Sequence, residues 1–502
     1  MRKTALLGLD LGTSGTKVMA FDLEGRELAR FYRAYPLANP APGQFELDPD
    51  EVWRAAADGL RHVASNLDDH RIEALSIAAQ GEAVIPIDRT GKALAMAPVS
   101  ADQRGEAHAE ALATELGDAW IYGETGQPVS SLPTITKLMW WKTERPALHE
   151  QTSRYLCFGE LALFRLGLEP TIDPSMAART MAFGIERGTW SAEILDAAGL
   201  DADRLPPIRP SGTIVGAIPD TIAKSLSLPS GVQVVLGGHD QPMAALGAGV
   251  IGPSQALYSI GTTEAILSVV DGPSTAFGRS NIPCYPHVLA DRWVTLVGNQ
   301  SGGRLLAWYR HNMTLAGIGD GDHQAPDFDD LTATVDLDRP SGLLLLPHFA
   351  GSGSVLNDPN AKGALVGLTF DTSPGDLVKA VLEGITFEQA LGVRALEEAG
   401  IKIDRLHAVG GGAHSSIWLQ IKADILGLPI SPVAIADAPC LGAALLAGIA
   451  IGAYPSPEEA VARAITIRPA VPPVANRNKA YANMLGRYRE LYQALRALCS
   501  WN

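Results

Sequence analysis

Cysteine is scarce: four residues in 502, at positions 157, 284, 440 and 499, with no Cys-x-x-Cys pair. That spacing excludes a disulfide scaffold and a zinc ribbon. Positive charge is in deficit, with 40 Lys and Arg against 55 Asp and Glu and a formal net charge of −15. So acidic a chain is a poor partner for duplex nucleic acid or an anionic membrane, since both need clustered positive charge. No uncharged apolar run reaches the roughly 20 residues of a spanning helix, and the nearest, 438–454, is too short and too glycine-rich. The start is basic, but Asp10 comes before an apolar stretch of signal-peptide length is complete. There is no Gly-Lys-Ser/Thr phosphate loop and no His-Glu-x-x-His, so any phosphate site is of another type and a catalytic zinc is not expected. The composition is 46% hydrophobic and 19% charged. That is ordinary for a globular chain, long enough for two large domains. The expected setting is a soluble, reduced, cytoplasmic protein that binds neither nucleic acid nor membrane.

What the sequence does have is glycine at the ends of strand patterns. Ala5 to Asp10 is short and apolar, Gly12-Thr13-Ser14-Gly15 is a polar turn, and Lys17 to Asp22 resumes as a second strand. Leu28 to Tyr35 reads as a third strand after a hairpin turn at Gly25. Val52, Trp53, Ala56, Leu60 and Val63 recur at helical spacing over 50–67, with Asp48 as cap and Pro49 beside it. Ile72 to Ala79 is a buried-strand pattern. Further patterns predict helices over 107–116, 136–143 and 161–166, a strand over 232–236, and a helix from Pro242 to Leu246. A second set follows: strands over 256–260, 265–270 and 293–297, then helices over 303–311, 374–399, 415–426, 440–451 and 478–498. Each half holds a hairpin with a Gly-Thr turn, Gly12-Thr13 and Gly261-Thr262, and then alternates helix and strand. Two related α/β lobes with a boundary near residue 250 are implied. Residues 317–338, rich in Gly and Asp, read as a surface loop.

Four motifs carry chemistry. In the stretch from Asp10 to Lys17, a carboxylate at a strand end can hold Mg²⁺ through water, and the glycine turn exposes N–H groups and hydroxyls to phosphate. A plain hairpin is the alternative. In Gly237-Gly238-His239-Asp240-Gln241, an Asp between strand and helix sits where α/β clefts form, and phosphoryl transfer to an alcohol needs such a carboxylate. The alternative is an N-cap. Gly261-Thr262-Thr263 and the run from Gly410 to Ser416 let a phosphate or flat ligand approach the backbone; ordinary tight turns are the alternative. Gly247 to Gly252 spells a dinucleotide G-x-G-x-x-G, but it follows a helix and has no surrounding βαβ unit. It reads instead as hinge material or small-residue helix packing, as does 443–452.

In this order the motifs resemble the FGGY carbohydrate kinases, the family of glycerol kinase, xylulokinase and gluconokinase, within the larger group sharing the actin and sugar-kinase ATPase fold. The likeness runs from Leu6 to about Tyr454. Gly363 to Glu383 matches the family's second signature throughout; Thr134 to Trp140 matches the first loosely, with departures at Leu132 and Trp141. The resemblance implies an α/β protein of two ribonuclease H-like lobes with the active site in the interlobe cleft. Residues 1–249 would form the sugar-binding lobe with the catalytic base, and 250–502 the nucleotide-binding lobe with a C-terminal helix. ATP and Mg²⁺ are the implied cosubstrate and metal. Gly12, Thr13 and Ser14 would contact the terminal phosphates from one lobe and Gly261 and Thr262 from the other. Gly303 would lie near phosphates and ribose, and Gly411, Gly412 and Ser416 would line the adenosine pocket. Asp10 would position the metal, and Asp240 would be the general base and also face the metal.

The same likeness places the alcohol at Gln80, Glu82, Asp102, Arg104 and Gln241. Glycerol kinases carry Arg where Gly81 stands and an aromatic where Leu132 stands; xylulokinases carry Met-His for Gly81-Glu82 and usually Trp at Ser100. The smaller residues imply room for a sugar or polyol of four to six carbons. Neutral, hydroxyl-rich ligands suit such a set of Gln, Glu, Asp and Arg. The alternatives are a glycerol kinase-type activity or a non-kinase, actin-like nucleotide-binding module. A homodimer is one expected assembly.

Overall fold

The structure, a computed structural model, describes residues 3–499 apart from 68, 314–326, 359 and 436. Two six-stranded sheets organise it. The first holds β1 (Lys3–Leu11), β2 (Gly15–Phe21), β3 (Glu27–Ala34), β4 (His70–Ala79), β5 (Ile214–Ala217) and β6 (Gln233–His239), in the order β5-β6-β4-β1-β2-β3. The second holds β7 (Gln255–Ile260), β8 (Glu264–Val270), β9 (Cys284–Pro286), β10 (Trp293–Asn299), β11 (Arg405–Val409) and β12 (Ile430–Pro432), in the order β9-β10-β8-β7-β11-β12.

The two sheets share one plan. A hairpin, β1–β2 or β7–β8, is extended outward by an antiparallel strand, β3 or β10. On its other side it is extended by parallel strands, β4 then β6, or β11 then β12. The parallel strands are covered on both faces, which is why β1 is a continuous apolar run with Ala5, Leu6, Leu7 and Leu9 fully buried.

Helices cover the sheets: α1 (Pro49–Ser65), α2 (Asp240–Gly247), α3 (Gly303–Asn312), α4 (Pro374–Glu398), α5 (Ser416–Leu426), α6 (Ala438–Ala450) and α7 (Ala475–Cys499). The Asp48 side chain accepts from Asp50 N–H at the head of α1, and Val52, Leu60 and Val63 are buried. At the head of α4, Ser373 and Asp376 exchange hydrogen bonds as a capping box. Tyr481 and Tyr488 of α7 donate to the buried Glu383 and Glu388 of α4 at 2.7 and 2.8 Å. Among the described residues no helix is long and apolar enough to cross a membrane.

Helix α6 belongs to the second half of the sequence but packs on α2, β1 and β4 of the first. Glycine makes this possible. A Cβ on Gly8 would lie 1.8 Å from the Cys440 carbonyl oxygen, one on Gly247 2.0 Å from that of Ala438, and one on Gly442 1.9 Å from that of Met243. The small residues around 247 and 442 are therefore helix packing. Two expectations change. Residues 314–326 of the expected surface loop lie outside the described residues, but Phe328–Ala333 is a helix, started by the Asp327 side chain accepting from Asp330 N–H. The strand expected over 232–236 continues through His239, so the helix beyond it begins at Asp240.

Gly442→Ala is expected to push α6 off α2 and cost about 3 kcal/mol in urea unfolding. Gly486→Ala in α7, where a Cβ meets nothing within 4 Å, is expected to be neutral or to stabilise by about 0.5–1 kcal/mol.

Candidate active site

Three neighbouring parallel strands, β1, β4 and β6, end at the same edge of the first sheet. Asp10 stands opposite Ala78 in β4, and Ala78 opposite Gly238 in β6. The residues that follow, Gln80 to Glu82 after β4 and Asp240 after β6, are thereby brought to Asp10. The C-terminal edge of such a sheet is where α/β proteins place their ligands.

Asp10 pairs in register with Lys17 across the β1–β2 hairpin. The Lys17 ammonium lies 2.5 Å from Asp437 Oδ2 and 3.5 Å from Asp10 Oδ2. Asp437 also caps α6, accepting from Cys440 N–H at 3.1 Å. Burial, with the Asp437 charge adding, pushes the Asp10 carboxyl up to about 7. The turn at Gly12 is held by Tyr35, whose hydroxyl donates to the Gly12 carbonyl. Thr13 Oγ1 donates to Gln80 Oε1 at 2.9 Å, joining the turn to the end of β4.

Asp240 is the first residue of α2; His239 holds the cap position, so the Asp240 side chain is not spent on capping. Burial, then the charges of Asp10 and Glu82, pushes its carboxyl up to about 8. A quarter of the side chain, 25%, still meets solvent, so a ligand can reach it. Its Oδ1 lies 3.2 Å from His239 Nε2, and His239 Nδ1 lies 3.2 Å from the Tyr285 hydroxyl. Ser175 Oγ accepts from His239 N–H at 2.9 Å and donates to Asp173 at 2.6 Å, which pins the backbone before the aspartate.

Glu82 has φ +63°, a left-handed conformation costly for a residue with a Cβ. Its carboxylate is held by Arg179, whose Nε donates to Oε1 at 2.5 Å. Arg179 also donates to Gln127 Oε1 at 2.7 Å, and its guanidinium lies 5.2 Å from the centre of the Tyr285 ring. His239 and Arg179 fill the side of Gly81: a Cβ there would meet them at 3.1 and 3.3 Å. The space expected from a glycine at this position is taken.

Asp102 and Arg104 engage each other. Arg104 donates to both Asp102 oxygens at 2.7 and 2.8 Å and to Glu46 at 2.7 Å, and Asp102 also accepts from Phe45 N–H at 2.8 Å. The Arg104 guanidinium covers the Trp140 ring at 4.7 Å. Nearby, Lys137 is fully buried and donates to the Leu132 carbonyl at 2.5 Å; burial draws its ammonium down to about 8. Among the described residues, Gln80 Nε2, Gln127 Nε2 and Gln241 Oε1 are buried with no hydrogen-bond partner. Buried polar atoms are normally hydrogen-bonded, so each of these three is open to a further partner such as water or a ligand hydroxyl.

The second sheet carries a cavity of about 610 Å³ at the corresponding edge, lined by Gly261, Thr262, Gly303, Gly411 and Gly412. The hairpin turn is tied to α3: Gly303 N–H donates to the Gly261 carbonyl at 2.8 Å and Arg304 N–H to that of Thr262 at 3.1 Å. Gly410, at φ +90°, passes so near β7 that a Cβ would lie 2.6 Å from the Ile260 carbonyl oxygen. Ser416 does not line the cavity. Its neighbour Ser415 does, and its Oγ caps α5 by accepting from Trp418 N–H. Phe328, Asp329, Thr332, His414 and Trp418 are among the other residues of its wall. Of these contributors the sequence motifs had included the glycines, Thr262, His414 and Ser415, but not Phe328, Asp329, Thr332 or Trp418. Arg179, Gln127 and Tyr285 in the first site carry no local motif either, and Lys137 lies within the loosely matched signature of Thr134 to Trp140 without having been assigned a role.

Replacing Arg179 by Met strands the buried Glu82 carboxylate. An expected loss of about 3–5 kcal/mol in chemical denaturation checks the pairing, and Arg179→Lys is expected to lose less.

The FGGY family of carbohydrate kinases matches this chain in both parts, its N-terminal domain over residues 5–247 and its C-terminal domain over 256–451. A xylulose kinase of Staphylococcus epidermidis is 26% identical over 502 residues, covering 99% of this chain and 98% of its own. A glycerol kinase of Thermus brockianus is 31% identical over 462 residues, covering 89% and 90%. The crystal structure of gluconate kinase from Lactobacillus acidophilus superposes with a TM-score of 0.89 at 26% identity, covering 98% of each chain. With the repeated sheet plan and the shared strand edge in place, these matches assign the chain: it belongs to the FGGY family of carbohydrate kinases, phosphotransferases that act on an alcohol group.

Proposed function

We propose that this kinase transfers the terminal phosphoryl group of ATP to a hydroxyl of a neutral ketose or polyol of four to six carbons, with Asp240 as the base. The observation that carries the reading is the shared edge of β1, β4 and β6, where Asp240 stands beside Asp10 and Glu82. The acceptor hydroxyl lies against Asp240, its oxygen attacks the terminal phosphorus, the bond to ADP breaks, and the proton passes to the Asp240 carboxylate. Gly12 to Ser14 bind the phosphates from the first lobe and Gly261 and Thr262 from the second, while Gly411 and Gly412 line the nucleoside end. The lobes divide near residue 250. Closure over both substrates excludes water.

Among the described residues no group of three or more His, Cys, Asp or Glu is arranged to hold a metal by itself. Mg²⁺ does not need one, because it keeps waters and takes one or two carboxylates along with phosphate. Asp10 and Asp240, two carboxyls held up by burial and crowding, fit that requirement. Bound with ATP, Mg²⁺ would supply the positive charge that offsets phosphate and these carboxylates.

Gln80, Gln127 and Gln241 support the acceptor class, because their partnerless amide atoms suit hydroxyls. Together with Asp240 they offer donors and acceptors to the several hydroxyls of such an acceptor. A glycerol-sized acceptor is the second reading, favoured by the packing of His239 and Arg179 against Gly81.

Asp240→Asn is expected to leave nucleotide binding intact and to cut turnover by about 10² or more; unchanged turnover refutes the base. A coupled assay for ADP release across glycerol, tetritols, pentitols and ketopentoses tests the acceptor. Turnover on four to six carbons with little on glycerol is expected. Activity confined to glycerol supports the second reading, and sugar-independent ATP hydrolysis favours a non-kinase module.

A further inference from the structure

Lys422 in α5 is a fully buried cation that phosphoryl transfer, as described, does not use. Its ammonium lies 2.8 Å from both oxygens of Glu264 and 2.7 Å from the Tyr258 hydroxyl. Tyr258 in turn donates to Glu264 Oε2 at 2.6 Å. Three acceptors for three ammonium protons make a closed network. Such a pair is a poor device for stability. Well-packed apolar residues in its place are often neutral or stabilising, whereas removing one partner strands a buried charge.

Its placement suggests what it does instead. Glu264 opens β8 immediately after Gly261-Thr262-Thr263, the turn at one end of the nucleotide cavity. The turn is also tied to the start of α3, and a Cβ on Gly302 would lie 2.8 Å from Glu264 Cγ. Lys422 lies one helical turn beyond Trp418, with its ammonium 4.4 Å from the centre of that indole ring. Trp418 is a wall of the same cavity and packs beneath Gly412, where a Cβ would meet its ring at 3.0 Å. One buried pair therefore touches the phosphate turn through Glu264, and through Lys422 the wall beside Gly411 and Gly412.

We propose that Lys422 and Glu264 are positioning residues for the nucleotide: their ion pair sets the spacing between the Gly261–Thr263 turn and the Trp418 wall, so that both ends of one ATP molecule are met together. This rests on the nucleotide reading of the cavity given above. The pair touches no substrate itself. It acts through the turn and the indole.

The test is the triple variant Glu264→Met, Lys422→Met and Tyr258→Phe, which nearly keeps the volume and removes both charges together with the buried hydroxyl they hold. MgADP affinity is measured by calorimetry, with the KM for MgATP, the acceptor KM and the melting temperature alongside. The expected result is a melting temperature equal to or above wild type, MgADP affinity and MgATP KM worse by about tenfold or more, and an unchanged acceptor KM. A second variant, Lys422→Arg, keeps the charge but replaces a point donor with a planar fork, and is expected to weaken nucleotide binding by a smaller factor in the same direction. Nucleotide binding unaltered in both variants, or equal losses for nucleotide and acceptor, overturns the proposal. If the wild type binds no MgADP, the nucleotide reading falls and this proposal with it. Wild-type binding alongside unaltered variants removes the proposal alone.

Discussion

The close approach of α6 to β1 and α2 decides where the two halves of the chain meet. Backbone lies against backbone at Gly8, Gly247 and Gly442, with no room for a side chain at any of the three. That packing delivers Asp437, the cap of α6, to Lys17 and so to the edge of Asp10. A helix from the second half of the sequence thus completes the charge arrangement at the sheet edge of the first.

Electrostatic crowding is the second theme. Asp10, Asp240, Asp437 and Glu82 gather where three strands end, with Lys17 and Arg179 as the cations among them. Burial and mutual repulsion hold Asp10 and Asp240 above the usual carboxylate range. Such displacement is typical of groups arranged for chemistry. Around Asp240 the orientation is over-determined: Ser175 fixes the backbone, His239 meets one carboxylate oxygen, and Tyr285 from the second sheet meets His239. Catalysis by positioning needs this kind of support.

Much of this was legible along the chain, for a local reason. Asp10, Gly12 to Ser14, Gly261, Thr262 and Gly410 to Gly412 all sit where a strand pattern breaks into glycine. The break itself marks the edge of a sheet. The helix over 50–67, with its Asp48 cap, and the helix over 374–399 were equally readable. Ser416 opens α5 one place beyond Ser415, which lines the cavity, and one residue turns a helix by about 100°. The helix at Phe328–Ala333 spans 6 residues, too few for a periodic pattern to show. Gly81 looked like open space until His239 and Arg179 were found against it.

By itself the sequence determined two α/β halves, each opening with a glycine-turned hairpin, and a lone aspartate between strand and helix. These follow from local spacing, propensity and turn chemistry. Tertiary structure alone decided the company those residues keep. Arg179 reaches Glu82 across 97 residues, and Lys422 reaches Glu264 across 158. Such meetings depend on strand register, helix phase and the packing of α6 against β1, and no stretch of local sequence encodes any of the three.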